Sequence, residues 1–176
     1  MEYLARKINR TKWHSVSYNG STDIQADAIT SCLRTQSNEL SVWQCDTARP
    51  DVGEVVLALA LESAKDRIDK MHIVLLHKDH VENDGISQRP TLGNTLVADL
   101  RARHRDLINL TMTKLCMLAR RISTEVEKYA DQERADISCS HSFTRKDVTD
   151  IIRNAVKAGR VKKEELPEKI KIDIER

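Results

Sequence analysis

Apolar and polar residues alternate along the chain with a spacing that changes from segment to segment, and each spacing predicts a different element. From Leu40 to Cys45, Leu40 and Val42 alternate with Trp43 and Cys45, the pattern of a strand covered on both faces. Met71 to Leu76 is an unbroken apolar run, too short for a helix and suited to a buried strand. Between them, Val55, Val56, Leu57, Leu59, Ala60 and Leu61 give a nearly all-apolar helix over 52–66. Pro50 opens it, and Asp51 and Glu54 have the spacing of an acidic capping box. Strand, helix and strand predict a right-handed βαβ unit with its two strands parallel.

Other segments extend this core. Ile24, Ala28, Ile29, Cys32 and Leu33 mark one face of a short helix capped by Asp23. Thr35 to Asn38 is a turn, and Tyr3–Ile8 and Trp13–Tyr18 read as strands near the N-terminus. A polar stretch from Glu82 to Asn94, containing Gly85, Pro90 and Gly93, predicts a loop and a boundary. Beyond it, apolar positions from Leu96 to Tyr129 are compatible with one long helix, broken near Arg105. Thr144 and Asp147 open a last helix that Gly159 ends, and Ile170, Ile172 and Ile174 alternate with charges as an edge strand would. The fold expected is α/β, with α+β as the alternative. It comprises a small mixed sheet over 1–92 and a mainly helical region over 93–176, which together can form one compact domain.

Composition narrows the functional classes. The 176 residues are 40% hydrophobic and 32% charged, enough apolar sequence for a core and too much for a disordered chain. Lys and Arg number 29 against 27 Asp and Glu, a net charge of +2, which disfavours a protein that coats a phosphate backbone. The first dozen residues carry Arg6, Lys7, Arg10 and Lys12 without a following apolar stretch, and no run is long enough to span a bilayer, so a cytoplasmic location with no membrane partner is expected. Cys32, Cys45, Cys116 and Cys139 form no CxxC pair and suit reduced thiols, with Cys32 and Cys116 buried as small hydrophobes. No glycine-rich phosphate loop occurs, and no cofactor is expected.

Three groups of residues carry the candidate chemistry. His77, Asp79, His80 and Asp84 follow the buried strand 71–76, and the carboxyl ends of strands gather functional groups in α/β folds. Two imidazoles beside carboxylates suit a divalent metal or acid–base work, although the spacing names no third ligand, and a solvated loop is the plainer reading. Arg101, Arg103 and Arg105 form the densest basic cluster. On a helix, Arg101, His104 and Arg105 would share one face and meet phosphates, with a set of surface ion pairs as the alternative. The charged helix over 145–158, with Arg160, Lys162 and Lys163 beyond it, has too little around it to make a groove-reading module. Cys139 and His141 beside Ser138 lack the turn that nucleophilic catalysis requires.

The strongest pattern is apolar. Leu107, Leu110, Leu115, Leu118, Ile122 and Val126 make a stripe greasier than a small core needs, and an uncovered stripe marks a partner surface. The expected function is therefore a non-catalytic accessory subunit of a cytoplasmic prokaryotic assembly, of the kind carried by genome-defence or toxin–antitoxin operons. It would dock through its long helix to a larger subunit or to a second copy. The alternative is a nucleic-acid-binding or metal-dependent nucleic-acid-processing protein that uses the 101–105 cluster and the 77–84 loop, within a complex.

Overall fold

A computed structural model of the chain describes residues 2–13, 16–18, 21–45, 51–62, 65–130 and 139–175. Pro50, Ser138 and part of the 13–18 segment lie outside them. The fold is mixed α/β, 48% helical and 25% strand, with a six-stranded antiparallel sheet. Its strands are β1 (Tyr3–Ile8), β4 (Leu40–Cys45), β5 (Met71–His77), β6 (Ser87–Pro90), β7 (His104–Ile108) and β8 (Ser140–Phe143), in the order β6-β7-β4-β1-β5-β8. A separate hairpin pairs β2 (Val16–Tyr18) with β3 (Ser21–Asp23). The helices are α1 (Ala26–Cys32), α2 (Val52–Ala60), α3 (Lys78–Asn83), α4 (Met112–Ala130), α5 (Arg145–Lys157) and α6 (Glu168–Glu175).

Strand alternation divides the core into two layers. Leu4 and Ile8 of β1, Leu40 and Val42 of β4, and Val74 and Leu76 of β5 face one way and pack with α1 and α4. Ala5, Trp43, Cys45, Ile73 and Leu75 face the other way and pack with α2, α5 and α6. Both faces of the sheet are thus buried, which is why β5 is apolar at nearly every position.

The expected strand–helix–strand unit is present with one difference. β4 and β5 run in the same direction, because each pairs antiparallel with β1, but β1 lies between them and no parallel pair forms. The sheet is therefore antiparallel where a mixed one was expected. Strand β1 satisfies edges of β4 and β5 that the crossover alone would leave open. The sheet also takes β7 and β8 from beyond residue 92.

Several elements differ from the sequence pattern for identifiable reasons. The Glu82–Asn94 stretch holds the end of α3 and the edge strand β6, not a loop alone. The expected long helix begins only at Met112; before it, Ala98–Arg103 is a 3-10 turn and His104–Ile108 is β7. Leu107 is fully buried beneath the sheet, so burial between β4 and β6 prevails over local helical spacing. Ile170 and Ile174 are buried one helical turn apart while Ile172 is half exposed, so the expected edge strand is helix α6. Asp23 accepts from the adjacent Ile24 amide, and Gln25 holds the N-cap position of α1 without a side-chain cap bond. Cys32 is buried as expected, whereas Cys116 is only half-buried.

Local signals elsewhere operate as read. Asp51 accepts from the Glu54 amide at 3.3 Å, and Thr144 and Asp147 close a full capping box on α5. Gly159 ends α5 at φ +72°, and Ser37 and Asn38 turn the chain at φ 52° and 60°. Gly93 is required by contact, because a Cβ there would collide with the Trp43 ring and lie 3.1 Å from the His104 Cβ. Gly93→Ala is expected to destabilise by about 1–3 kcal/mol through overpacking. Urea unfolding reads this directly, and an unchanged midpoint would show that the loop yields freely.

The apolar stripe is not uncovered. Leu107, Leu110, Leu118, Ile122 and Val126 are buried at 0–5% exposure, and Leu115 packs half-buried against the same layer. Leu107 packs within the sheet on β7, and Leu118, Ile122 and Val126 fasten α4 to it, so the buried five are not available to a partner.

Candidate functional site

His77 ends β5 in extended backbone, and the chain turns at once into α3. His77 occupies the N-cap of that helix but makes no side-chain cap bond, so the imidazole is not used in capping. Its ring lies 4.6 Å from that of Tyr3, its register partner on β1, and 4.9 Å from that of His80 one turn along α3. Cys139, just before β8, brings its Sγ within 3.9 Å of His77 Nε2. Burial, with Cys139 and Glu125 nearby, raises the Tyr3 phenol above its ordinary range and keeps it protonated.

Across from this cluster stands α4. Met117, Arg120, Arg121, Thr124 and Glu125 close an open cleft of ≈ 390 Å³ over the His77–His80 corner, with Leu75 and Leu76 beneath. Arg121 grips Asp84 with two parallel bonds, Nε at 2.5 Å and Nη2 at 2.7 Å. This bond holds the Asp84 carboxyl below its usual range, against the opposing effect of burial. Lys78 pairs with Glu2 at 2.5 Å and ties the base of α3 to the N-terminus. The cleft lining balances its charge, with two guanidinium groups against the carboxylates of Asp84 and Glu125 beside two imidazoles.

The four-residue metal candidate is not assembled. Asp84 is committed to Arg121 and Asp79 is exposed on α3, leaving only His77 and His80 in contact. Among the described residues, no three or more His, Cys, Asp or Glu side chains are placed to hold a metal ion. Cys139 and His141 are not a working pair either. His141 lies on β8 opposite Ile73, and Cys139 approaches His77 instead.

The basic cluster does not form one face. Arg101 and Arg103 lie on the 3-10 turn and Arg105 on β7, so the helical spacing that aligned them is absent. Arg101 Nε donates to the Thr95 carbonyl at 2.9 Å, and Arg105 donates to the carbonyls of Ala102 and His104 and to Gln44 Oε1 at 2.6 Å. The cations around α5 are similarly engaged, Arg145 with Asp173 and Arg160 with Glu54 and Asp99.

Sequence reasoning located His77, His80 and Asp84 but missed Tyr3, Met117, Arg120, Arg121, Thr124, Glu125 and Cys139. The α4 residues reach the cleft, and Tyr3 and Cys139 reach His77 at its corner, through tertiary pairing that no local spacing records. Fold and cleft together define a three-layer α/β protein with an open antiparallel sheet and a histidine-cornered cleft beside its longest helix. No protein-family model, curated protein or solved structure matches the chain. No helix among the described residues is long and apolar enough to cross a membrane.

Proposed function

We propose that this protein is a cytoplasmic, non-catalytic interaction subunit that docks onto a larger protein partner through α4. The docking face is the outer one, Met117, Arg120 and Thr124 with the cleft they overhang, and not the buried Leu118–Ile122–Val126 face. The observation that carries this reading is the make-up of the cleft: an apolar patch of Leu76 and Met117 inside a charge-balanced polar rim. Protein interfaces anchor an apolar or aromatic side chain in such a notch while the rim excludes water. Balanced charge gives a polyanion no preference for the site. The Asp84–Arg121 pair and the Tyr3–His77–His80 contacts hold the walls in place before a partner arrives, which lowers the ordering cost of binding.

The test uses the tagged full chain, recovered from its native host with a high-salt wash and nuclease treatment. A stoichiometric protein is expected to stay bound to the wild type and to be lost from the double variant Met117→Glu, Arg120→Glu. The variant should keep the wild-type circular dichroism and melting profile, since Arg120 is exposed and Met117 only half-buried. Retention of the partner by that variant, or a wild type that runs as a bare monomer, would overturn the reading. A wild-type homodimer that the variant dissociates would identify the partner as a second copy.

A further inference from the structure

Strands β1 and β4 do not pair along their whole length. Their register runs from Tyr3 opposite Cys45 to Ala5 opposite Trp43 and stops there, although β1 continues to Ile8 and β4 starts at Leu40. Arg6 closes the opening on the α1 side of the sheet. Its guanidinium donates to the Cys32 carbonyl from Nε at 3.1 Å and Nη2 at 2.9 Å, and to the Ser41 carbonyl from Nη1 at 2.6 Å. On the α2 side the opening is a pocket of ≈ 330 Å³, a volume within the range of small-molecule sites. Ala5, Trp43, Leu59 and Leu92 are its apolar walls, and Lys7 and His104 bring polar groups to it.

Lys7 stands on the α2 side by strand alternation, two residues after Ala5, on the wall this pocket shares with a neighbouring groove at Met71. It is half-buried, and its ammonium makes no hydrogen bond or ion pair among the described residues. Burial, and then the charge of Lys65, lowers it below the usual lysine range, with Asp69 and Glu62 opposing. Both carboxylates have other partners, Glu62 in Lys65 at 3.1 Å and Asp69 in Arg67 at 3.3 Å. Arg6 next to it is bonded to carbonyl oxygens and, among the described residues, to no carboxylate. A desolvated cation without a counter-charge costs free energy that a bound anion recovers. His104 adds a second donor. Burial above all lowers this imidazole, which is neutral at pH 7, and its Nδ1 is bonded to Thr91 Oγ1 at 2.7 Å. With the Thr91 hydroxyl donating, Nε2 carries a proton, and that nitrogen has no hydrogen bond among the described residues.

A separate observation concerns the rim. Leu92 is 80% exposed, yet its loop is held firmly, because the amides of Thr91 and Gly93 donate to the carbonyls of His104 and Arg101. Gly93 lies against the Trp43 ring, which fixes Leu92 beside the indole. An exposed leucine alone is ordinary. At the mouth of a pocket that also holds an unmatched ammonium, it completes a site with one charged end and one apolar end.

We propose that this pocket binds a small organic carboxylate, with its oxygens on Lys7 and His104 Nε2 and its ring or chain against Trp43 and Leu92. One negative charge matches one ammonium, and the apolar walls give a phosphate no further donors. The pocket lies on the opposite face of the sheet from α4, so its test is independent of the docking face.

The experiment is titration of the full chain with phenylacetate, 2-phenylethanol and inorganic phosphate, followed by calorimetry and by amide shifts. Phenylacetate is expected to bind at least about tenfold more tightly than the neutral alcohol or phosphate. Lys7→Met keeps the stem and removes the charge; it is expected to lower phenylacetate affinity by about tenfold or more while leaving the urea midpoint no lower than in the wild type. Leu92→Ser should weaken binding several-fold, and Lys157→Met, an exposed change on α5, should leave it unchanged. In the wild type, phenylacetate should shift the amides of Lys7 and Leu92 and the Trp43 indole, a readout that does not depend on any variant folding. No phenylacetate binding at millimolar concentration, equal binding of 2-phenylethanol, tighter binding of phosphate, or unchanged affinity in Lys7→Met would overturn the proposal. So would shifts centred on Met71 and Phe143, which would place the anion in the neighbouring groove.

Discussion

Leu118→Asp is expected to unfold the protein rather than merely release a partner. Leu118 is fully buried on α4, in one layer with Ile122, Val126 and the β1 and β5 side chains Leu4 and Val74. Removing a buried leucine side chain costs about 2–5 kcal/mol in lost transfer energy and cavity, and placing a carboxylate in the same space adds several more. The sum approaches the whole stability of an ordinary domain, about 5–15 kcal/mol. Far-UV circular dichroism and urea unfolding will show this as lost helix signal or a collapsed midpoint. Arg120→Ser, two residues further along the same helix but exposed, should shift stability by no more than about 0.5 kcal/mol. A folded Leu118→Asp that loses only a binding partner would place this face at an interface and contradict the packing.

Stability is also expected to fall as the pH drops from about 6.5 to about 4. His72 is held near 4 by burial first and by the Arg10 charge second, against an ordinary value of 6.5. In that window the unfolded chain takes up a proton that the folded one refuses, so acid favours unfolding, and the native advantage is complete only above the unfolded pKa. At about 1.4 kcal/mol per pKa unit, the loss from this residue is at most about 3 kcal/mol. His104 and His141 are lowered mainly by burial as well and contribute with the same sign. Asp84, lowered chiefly by its bond to Arg121, begins to cost stability only further down, as pH passes below the ordinary carboxylate range. His72→Gln should flatten much of the slope between pH 6.5 and 4 and leave a remainder from the other two histidines. Denaturant midpoints across that range, for wild type and variant, test this, and an equally steep variant would remove His72 as the source.

Several elements were legible because their signals are local. The alternation in Leu40–Cys45, the apolar run from Met71, the capping box at Thr144 and Asp147 and the αL position at Gly159 each describe a segment's own backbone and burial. The candidate site was legible only in part, for the same reason. His77 and His80 could be placed at a strand end from sequence, but the wall that makes them a cleft lies on α4, about forty residues on, and the thiol beside His77 lies 62 residues away. The basic cluster at 101–105 misled because its helical alignment assumed a helix, whereas the pairing of β7 between β4 and β6 imposes a strand.

The sequence by itself determined that this is an α/β chain with covered strands at 40–45 and 71–76, a further strand at 3–8, and helices where apolar periodicity, a cap and a terminating glycine agree. The tertiary structure alone decided which strands are neighbours, because hydrogen-bonded edges are satisfied between segments far apart in the chain, and β1 fills the place between β4 and β5 that local pattern had left to a parallel pair. It also decided what the apolar stripe of α4 is for. A two-faced sheet needs a helical cover on each side, and Leu118, Ile122 and Val126 supply that cover on the α4 side, so the stripe that reads as an exposed surface in the sequence is core in the fold.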